Sequence, residues 1–373
     1  VSELPVRDVW VEVDLAALRH NFAQLRGFLG QSVRVMAVVK ANAYGHGYVR
    51  TAQAFVNAGA DALGVTRIEE ALELREAGIS VPILLFAPLQ PANIPAAIQA
   101  NLHMTVCDIS QARLVSDAAV GQDRQAYVHI KVDTGMGRLG TLPDRVLELF
   151  KDVASLPGVT IAGTYTHFAT AGESSLTYAQ KQLNVFVNTL AELKQAGFGC
   201  GIIHAANSAA IIQLPGSHFD MVRPGTILYG QYPSGYVPRV LDLRETWKLK
   251  ARVCQIRELP PQTKIGYGCE YVTKGRTRTA VIPIGYADGF TLIPEGAVYR
   301  QGMCRLLARK LRPGRSVWIK QKPARVLGRV GMQLTVVDIT QIPDVEVGDE
   351  VLVPALRIPT SSLIERVYVD SSA

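Results

Sequence analysis

The stretch Val33-Arg34-Val35-Met36-Ala37-Val38-Val39-Lys40-Ala41-Asn42-Ala43-Tyr44-Gly45-His46-Gly47 decides the reading of this chain. Its first half is an apolar run closed by a lysine, and its second half is small and polar. A strand covered on both faces is nearly continuous in Val, Ile and Leu, so Val33 to Lys40 reads as a buried parallel strand and Ala41 to Gly47 as the loop after it. In a barrel or doubly wound sheet the space beyond such a strand end is the ligand crevice. A partly desolvated lysine there can lose its proton and form a Schiff base with an aldehyde or ketone. On position alone, an ion-paired lysine at a strand end is the commoner outcome.

The same rhythm continues outward from this strand. Further apolar runs lie at Ala62 to Thr66, Pro82 to Ala87, His103 to Cys107, Ala126 to Val132, Ile161 to His167, Ile202 to Ala206 and Phe219 to Val222. Between them lie segments with helical spacing, such as Ile68 to Arg75, and an earlier helix is marked by Asp14 followed by Leu15, Leu18 and Phe22. Eight alternations of strand and helix point to a (β/α)8 TIM-like barrel over residues 1–242; an open doubly wound sheet carries fewer parallel strands.

Near Leu243 the pattern changes. Trp247 to Val253 alternates apolar and polar residues, as do Thr279 to Ile282, Val317 to Lys320 and Leu334 to Val337. That is the signature of half-buried antiparallel strands, so residues 243–373 form a mostly antiparallel β domain. The early run Val9 to Val13 alternates in the same way and is a candidate to join it.

Composition narrows the function classes. The net charge is +7, from 39 basic and 32 acidic residues. The densest basic stretch (Arg305, Arg309, Lys310, Arg312, Arg315, Lys320, Lys322, Arg325) has no interleaved aromatic platform, and nucleic-acid binding is not expected; it reads as a solvated hairpin. No apolar run is long enough for a bilayer, which predicts a soluble protein without a membrane partner. The cysteines Cys107, Cys200, Cys254, Cys269 and Cys304 are scattered and odd in number, which suits reduced thiols of a cytoplasmic protein, with no metal site. Cys269 reads as a local packing residue.

The segment V-V-K-A-N-A-Y-G-H-G resembles the pyridoxal-phosphate signature of bacterial alanine racemases, and the resemblance covers most of the chain. H-I-K-V-D-T-G-M-G-R-L-G (from His129), T-H-F-A-T (from Thr166), A-N-S-A-A (from Ala206), R-P-G (from Arg223) and I-G-Y-A-D-G (from Ile284) come in the family's order. The resemblance implies a homodimer with shared active sites that racemises alanine by a two-base mechanism, in the cytoplasm, and supplies D-alanine as a peptidoglycan precursor. The cofactor so implied is pyridoxal 5'-phosphate, an electron sink for α-proton removal.

Within that resemblance Lys40 is the residue that holds the cofactor and acts as one base. The second base is a tyrosine from the partner subunit, matched here by Tyr267 in the G-Y-G of Gly266 to Gly268. A phenol titrates near ~10, and nearby cations lower that value; the family pattern offers His167 and Arg223, with His167 bridging the two and Arg223 facing the pyridine nitrogen. A guanidinium has donors only, so that nitrogen is expected to stay unprotonated, favouring quick reprotonation of the carbanion over transamination.

For the phosphate, Ser208 after Asn207 stands at the start of a helix, either as a plain N-cap or as a ligand. Gly225 and Thr226 come after the eighth strand, where barrels commonly bind phosphate. Tyr44 joins this set by resemblance. Arg138 suits the substrate carboxylate because its planar fork matches that group. In the family the lysine matching Lys131 is often carbamylated and orients this arginine. Met332 is assigned to the substrate side, since Met332-Gln333 matches the family's M-D pair near the partner's active site.

Three positions depart from the family. Ser362 or Leu363 stands where a tyrosine normally touches the phosphate and narrows the entrance, Gln333 replaces the aspartate of the M-D pair, and Gly172 replaces the usual acidic residue after T-H-F-A-T. All three fall around the entrance, so a wider gate with relaxed substrate size or weaker cofactor retention is expected. Two alternatives remain at this point: a related amino-acid decarboxylase, whose cysteine motif and acidic residue are not found, and a non-catalytic pyridoxal-phosphate carrier or homeostasis protein, which has no use for a domain carrying Tyr267.

Overall fold

The computed structural model describes residues 7–291 and 315–371. Cys304 and the basic residues Arg305, Arg309, Lys310 and Arg312 singled out above lie outside the described residues. Contacts divide the described residues into two compact units: Leu15–Thr246, and Trp247–Asp370 together with residues 7–14.

The strands, in chain order, are β1 (Val9–Asp14), β2 (Arg34–Val38), β3 (Ala62–Val65), β4 (Ile83–Leu85), β5 (His103–Val106), β6 (Ala126–Lys131), β7 (Val159–Tyr165), β8 (Ile202–Asn207) and β9 (Met221–Arg223). Strands β2 to β9 pair in parallel in sequence order, and β9 returns to β2 through Arg34↔Met221 and Val35↔Val222, closing an eight-stranded barrel. The eight apolar runs read from the sequence are these eight strands. Met36, Ala62, Leu84 and Met221 form a buried apolar cluster drawn from four of them. Helices pack their apolar stripes on the outside. In Leu15–Leu29 the buried residues are Ala17, Leu18, Asn21, Phe22 and Leu25, and in Ile68–Glu76 they are Ile68, Ala71 and Leu74. Among the described residues no helix is long and apolar enough to cross a membrane.

The β unit continues with β10 (Trp247–Arg252), β11 (Gln255–Leu259), β12 (Lys264–Ile265), β13 (Tyr271–Val272), β14 (Thr277–Ile282), β15 (Ser316–Ile319), β16 (Lys322–Val326), β17 (Thr335–Asp338), β18 (Glu350–Val353) and β19 (Arg366–Val369). One nine-stranded sheet has the order β11-β14-β17-β16-β15-β18-β10-β1-β19. All its pairs are antiparallel except β1 with β19. Strand β10 buries Trp247, Leu249 and Ala251 and leaves Lys248, Lys250 and Arg252 partly solvated, which is the alternation seen in its sequence. The basic stretch contributes the hairpin β15–β16, turned by Lys320 and Gln321 at φ 49° and 64°. Two consecutive left-handed residues make a turn that matches the sheet's twist, here without the glycine or asparagine that usually marks it.

Candidate active site

The first barrel strand ends two residues short of Lys40, and the segment beyond it is not an open loop. Strand β2 stops at Val38, and residues Ala41, Asn42, Ala43 and Tyr44 all take left-handed helical angles, with φ from 49° to 55°. For non-glycine residues this costs about 1–2 kcal/mol each, so the turn persists only because its surroundings hold it. Ala43 N–H donates to Val39 O (2.9 Å) and Gly47 N–H to Asn42 O (3.0 Å). Ala41 N–H donates to Glu70 Oε1 (2.7 Å). Buried His46 donates from Nδ1 to Ala43 O (3.0 Å) and meets Thr246 Oγ1 through Nε2 (2.8 Å). The turn thus presents Lys40 at its start and Tyr44 at its end, with the Tyr44 ring stacked on Tyr229 at 4.6 Å between centroids.

Both side chains open into a cavity of about 480 Å³ at the C-terminal ends of the barrel strands. The lining brings together Lys40, Tyr44, Lys131, Arg138, His167, Asn207, Ser208, Arg223, Gly225 and Thr226, ten of the residues marked in the sequence. Four of these are cationic side chains, and among the described residues no carboxylate lines the cavity. Tyr267 and Met332 lie in the β unit and are not lining residues of this cavity.

Clustering cations away from water makes each costlier to charge. Burial, with Arg138 and Arg223 adding, lowers the Lys40 ammonium below its ordinary value, while Glu70 opposes the shift. Lys131, the last residue of β6 and nearly inaccessible, is brought down to about 8 by burial and then by Arg223 and Arg138. Its Nζ lies over the Tyr165 ring. The loop after it is shaped by Asp133, whose carboxylate accepts from the backbone N–H of Gly135, Met136 and Gly137. That loop delivers Arg138, and an isolated β-bridge between Val132 and Thr141 fixes its two ends.

Arg223 is buried where β9 closes the barrel. Its Nη2 donates to Thr166 O (2.7 Å) and Ala205 O (3.0 Å) and reaches His167 Nδ1 at 3.3 Å; its Nη1 donates to His204 Nδ1 at 2.9 Å. Nε takes part in none of these bonds. His167 is held well below its usual value by burial and then by Arg223, Lys131 and Arg138. It is therefore held toward the neutral form, which corrects the expectation of a second cation: an imidazolium there would be desolvated and would face the four cations Arg223, Lys131, Arg138 and Lys40.

A second correction concerns the short helix Ser208–Gln213. Its cap is Asn207, whose Oδ1 accepts from Ala209 N–H (3.2 Å) and Ala210 N–H (3.1 Å). Ser208 is not the cap; its Oγ accepts from Gly225 N–H at 2.8 Å, tying the β8 end to the β9 end. A Cβ on Gly225 would fall 2.3 Å from Tyr44 Oη. Only a glycine leaves room there for the phenol, so Tyr44, Ser208, Gly225 and Thr226 frame a small polar cradle. Polar groups around a cradle of this size, in a cavity of net positive charge, fit the phosphate of pyridoxal phosphate; a lysine shifted toward its free amine fits the aldehyde.

Tyr267 opens a single turn, Tyr267–Cys269, between β12 and β13, and its ring is 76% exposed. Gly266 and Gly268 on either side have φ 72° and 71°. Cys269 is exposed, not packed, which corrects its reading as a packing residue. The departures from the family are also on the surface of the β unit: Gln333 and Ser362 are exposed, and Leu363 is 94% exposed. In the barrel, Gly172 lines the cavity with a carbonyl that accepts from Ser234 Oγ. A Cβ there would meet only ordinary contacts at 3.7 and 3.8 Å, so space does not require a glycine at this position.

Residue-by-residue reading missed three contributors. Glu70 anchors the left-handed turn, Tyr165 lies under both Lys131 and Arg223, and His204 accepts from Arg223. None carries a local signal, because each looks like an ordinary helix or strand residue.

Comparisons with known proteins agree over nearly the whole chain. A family model described as alanine racemase, N-terminal domain, matches residues 13–233, and one described as alanine racemase, C-terminal domain, matches residues 246–366. A curated alanine racemase of Desulforamulus reducens is 42% identical over 92% of this chain and 89% of its own. A solved structure described as alanine racemase of Clostridium difficile 630 superposes with a TM-score of 0.91 at 33% identity, covering 98% of this chain and 97% of the other. That of alanine racemase from Bacillus anthracis with bound L-Ala-P gives 0.86 at 31% identity, covering 98% and 96%.

Proposed function

Because this chain belongs to the alanine racemase family, whose members are isomerases acting on amino acids, we propose that it interconverts L- and D-alanine with pyridoxal 5'-phosphate, Lys40 and Tyr267 being the two bases. The observation that carries this reading is the cavity lined by four cations and, among the described residues, no carboxylate, with Lys40 shifted toward its free amine. When bound, the cofactor supplies the electron sink that makes the α-proton acidic enough to remove.

The chain's own residues divide the remaining work. Tyr44, Ser208, Gly225 and Thr226, with Asn207 fixing the adjacent turn, would hold the phosphate. Lys40 Nζ would hold the cofactor's aldehyde carbon and, once displaced by substrate, take or return the α-proton on its own face. Its lowered pKa serves both tasks, since each needs a free amine. Tyr267 Oη would do the same on the opposite face. Arg223 would meet the ring nitrogen through Nε, which takes part in none of the hydrogen bonds described above. Having no proton to give up, it keeps that nitrogen unprotonated, which favours fast return of the proton over transamination. Neutral His167, with Nδ1 accepting from Arg223, carries its proton on Nε2 and would assist the phenol of Tyr267 as a hydrogen-bond donor.

Arg138 would clamp the substrate carboxylate. Lys131 faces Arg138 and Arg223, which outweigh the opposing charge of Asp133, and at about 8 its amine is free enough to take up carbon dioxide; a carbamate there would supply an anion between the two guanidinium groups. Tyr267 and Met332, carried on the β unit, are assigned to the active site of a second copy, so the working form is a homodimer. Without an aromatic gate at Ser362 or Leu363 and without acids at Gln333 and Gly172, the entrance would admit side chains larger than methyl. The carrier and decarboxylase alternatives are not favoured, since the match to the family extends through the C-terminal domain.

The test is exchange of the α-proton of L-alanine for deuterium, monitored together with loss of optical rotation, with and without added pyridoxal phosphate. Exchange with racemisation in the parent, and none in Tyr267→Phe, supports the two-base reading. Absence of both with cofactor bound at Lys40 overturns it.

A further inference from the structure

Three imidazoles stand in line inside the barrel and end on Arg223. His103 is the first residue of β5, at the opposite mouth of the barrel from Lys40; His129 and His204 lie within β6 and β8. His103 Nδ1 is 3.0 Å from His129 Nε2, His129 Nδ1 is 2.9 Å from His204 Nε2, and His204 Nδ1 is 2.9 Å from Arg223 Nη1.

Each link joins one nitrogen of one ring to one nitrogen of the next, so the protons along the chain can run in only one of two directions. Arg223 chooses. A guanidinium has no acceptor, so His204 Nδ1 must accept from it, and neutral His204 then carries its proton on Nε2. That proton is donated to His129 Nδ1, which places the His129 proton on Nε2, donated in turn to His103 Nδ1. Reversing any one ring would set two donors or two bare lone pairs face to face, a buried mismatch.

The barrel is built around these rings. A Cβ on Gly163 of β7 would lie 2.4 Å from His129 Nδ1, and the β6–β7 register shifts between Val128 and His129. Tyr165 stacks on His204 at 4.8 Å with an interplanar angle of 5°, and Tyr127 stacks on His103. The rings also stay uncharged. Burial and then Arg75 hold His103 down to about 4, and His129 and His204 are held well below their usual value by burial, with Arg223 and the neighbouring rings adding.

We propose that His103, His129 and His204 form a tautomer lock, in which His103 and His129 are positioning residues that keep His204 Nδ1 an acceptor and so aim the guanidinium of Arg223. This rests on the reading of Arg223 as the group that meets the cofactor's ring nitrogen. Nη2 is tied to two carbonyls, whereas the described hydrogen bond of Nη1 is to His204 alone. A His204 flipped to the Nδ1–H form would push Nη1 away and rotate the planar fork, carrying Nε out of line.

The experiment is histidine-tautomer NMR on the ¹⁵N-histidine-labelled holoenzyme, with variants that differ only in polarity at the far end. His103→Gln presents an amide oxygen that can accept from His129 Nε2–H, whereas His103→Lys presents donors only. The parent and His103→Gln are expected to show bare Nδ1 and protonated Nε2 at His129 and His204. In His103→Lys those signals become mixed, the cofactor absorption band shifts, and kcat falls about tenfold with KM for alanine unchanged, the loss of roughly one charge-assisted hydrogen bond. Should His103→Lys fail to fold, His103→Ala, which removes the acceptor, is compared with His103→Gln by the same signals. A parent with the proton on Nδ1 of His204, or acceptor and non-acceptor variants with the same tautomers and spectrum, overturns the proposal. A parent with the expected tautomers but no racemase activity would overturn the reading of the site and leave the lock standing.

Discussion

Gly225→Ala is the sharpest probe of the phosphate cradle. The φ of Gly225 is −121°, which does not call for glycine, so the substitution tests space. The new methyl would lie 2.3 Å from Tyr44 Oη and 3.0 Å from its Cζ, and relief requires the phenol to retreat by roughly 1 Å to reach ordinary contact. Tyr44 cannot swing freely, because it closes the left-handed turn and its ring is stacked on Tyr229. Overpacking of this kind costs about 1–3 kcal/mol, and a lost hydrogen bond to a charged phosphate about 1.5–3 kcal/mol. Cofactor affinity should therefore fall between about tenfold and several hundredfold. The assay is titration of cofactor-stripped protein with pyridoxal phosphate, read by absorbance, beside a thermal melt of the stripped protein that isolates the packing cost. Tyr44→Phe removes the atom in closest contact, so adding it to Gly225→Ala should cost less than the sum of the two single effects. Affinity within twofold of the parent in Gly225→Ala, or strict additivity in the double variant, would refute the assignment of this cradle to the phosphate.

Removing the proposed second base by Tyr267→Phe should lower racemisation by about 10²–10⁴-fold while cofactor binding, measured by absorbance, stays within twofold; equal losses of both would remove Tyr267 from catalysis. Lys131 should show the mass of an added carbon dioxide in native mass spectrometry, lost on acidification and absent in Lys131→Met; an unmodified mass in bicarbonate buffer counts against a carbamate. Gly172→Asp and Leu363→Tyr should each raise the kcat/KM ratio of alanine over serine, and a parent already strict for alanine would refute the wide entrance. Stability should fall with acid earlier than carboxylates alone would require. Above about pH 6.5 a histidine is neutral folded or unfolded. Below it the unfolded chain binds protons that His103, His129, His167 and His204 refuse in the folded state, each contributing a loss of about 1.4 kcal/mol per pH unit until its folded value is reached. Denaturant unfolding of the parent and of His103→Gln, which should lose part of this slope, checks it; a flat profile between pH 6.5 and 5 would show that these rings are not held neutral.

The sequence alone determined the eight barrel strands and the change of hydrophobic period after them; in the β unit it marked β1, β10, β14, β15 and β17 but not β11, β12, β13, β16, β18 or β19. A buried parallel strand and a half-buried antiparallel one differ in hydrophobic period, which is written within six or seven residues and survives any long-range arrangement. It also marked the residues that meet in the cavity, because Lys40, Arg138, His167, Ser208 and Arg223 all stand at or just beyond strand ends, the one place a barrel can gather them. What needed the tertiary structure was every feature whose cause lies far along the chain. Ala41 to Tyr44 coil left-handed because Glu70 and Thr246 secure the turn, against their own preference. His167 is held below its usual value by burial and then by Arg223, 56 residues away in the chain. His103, His129 and His204 look like three unrelated strand residues until closure of the barrel brings rings 26 and 75 positions apart into hydrogen-bond contact. Periodicity reports which face of a segment is buried; only packing decides what that face meets, and with it which groups are charged and which way their protons point.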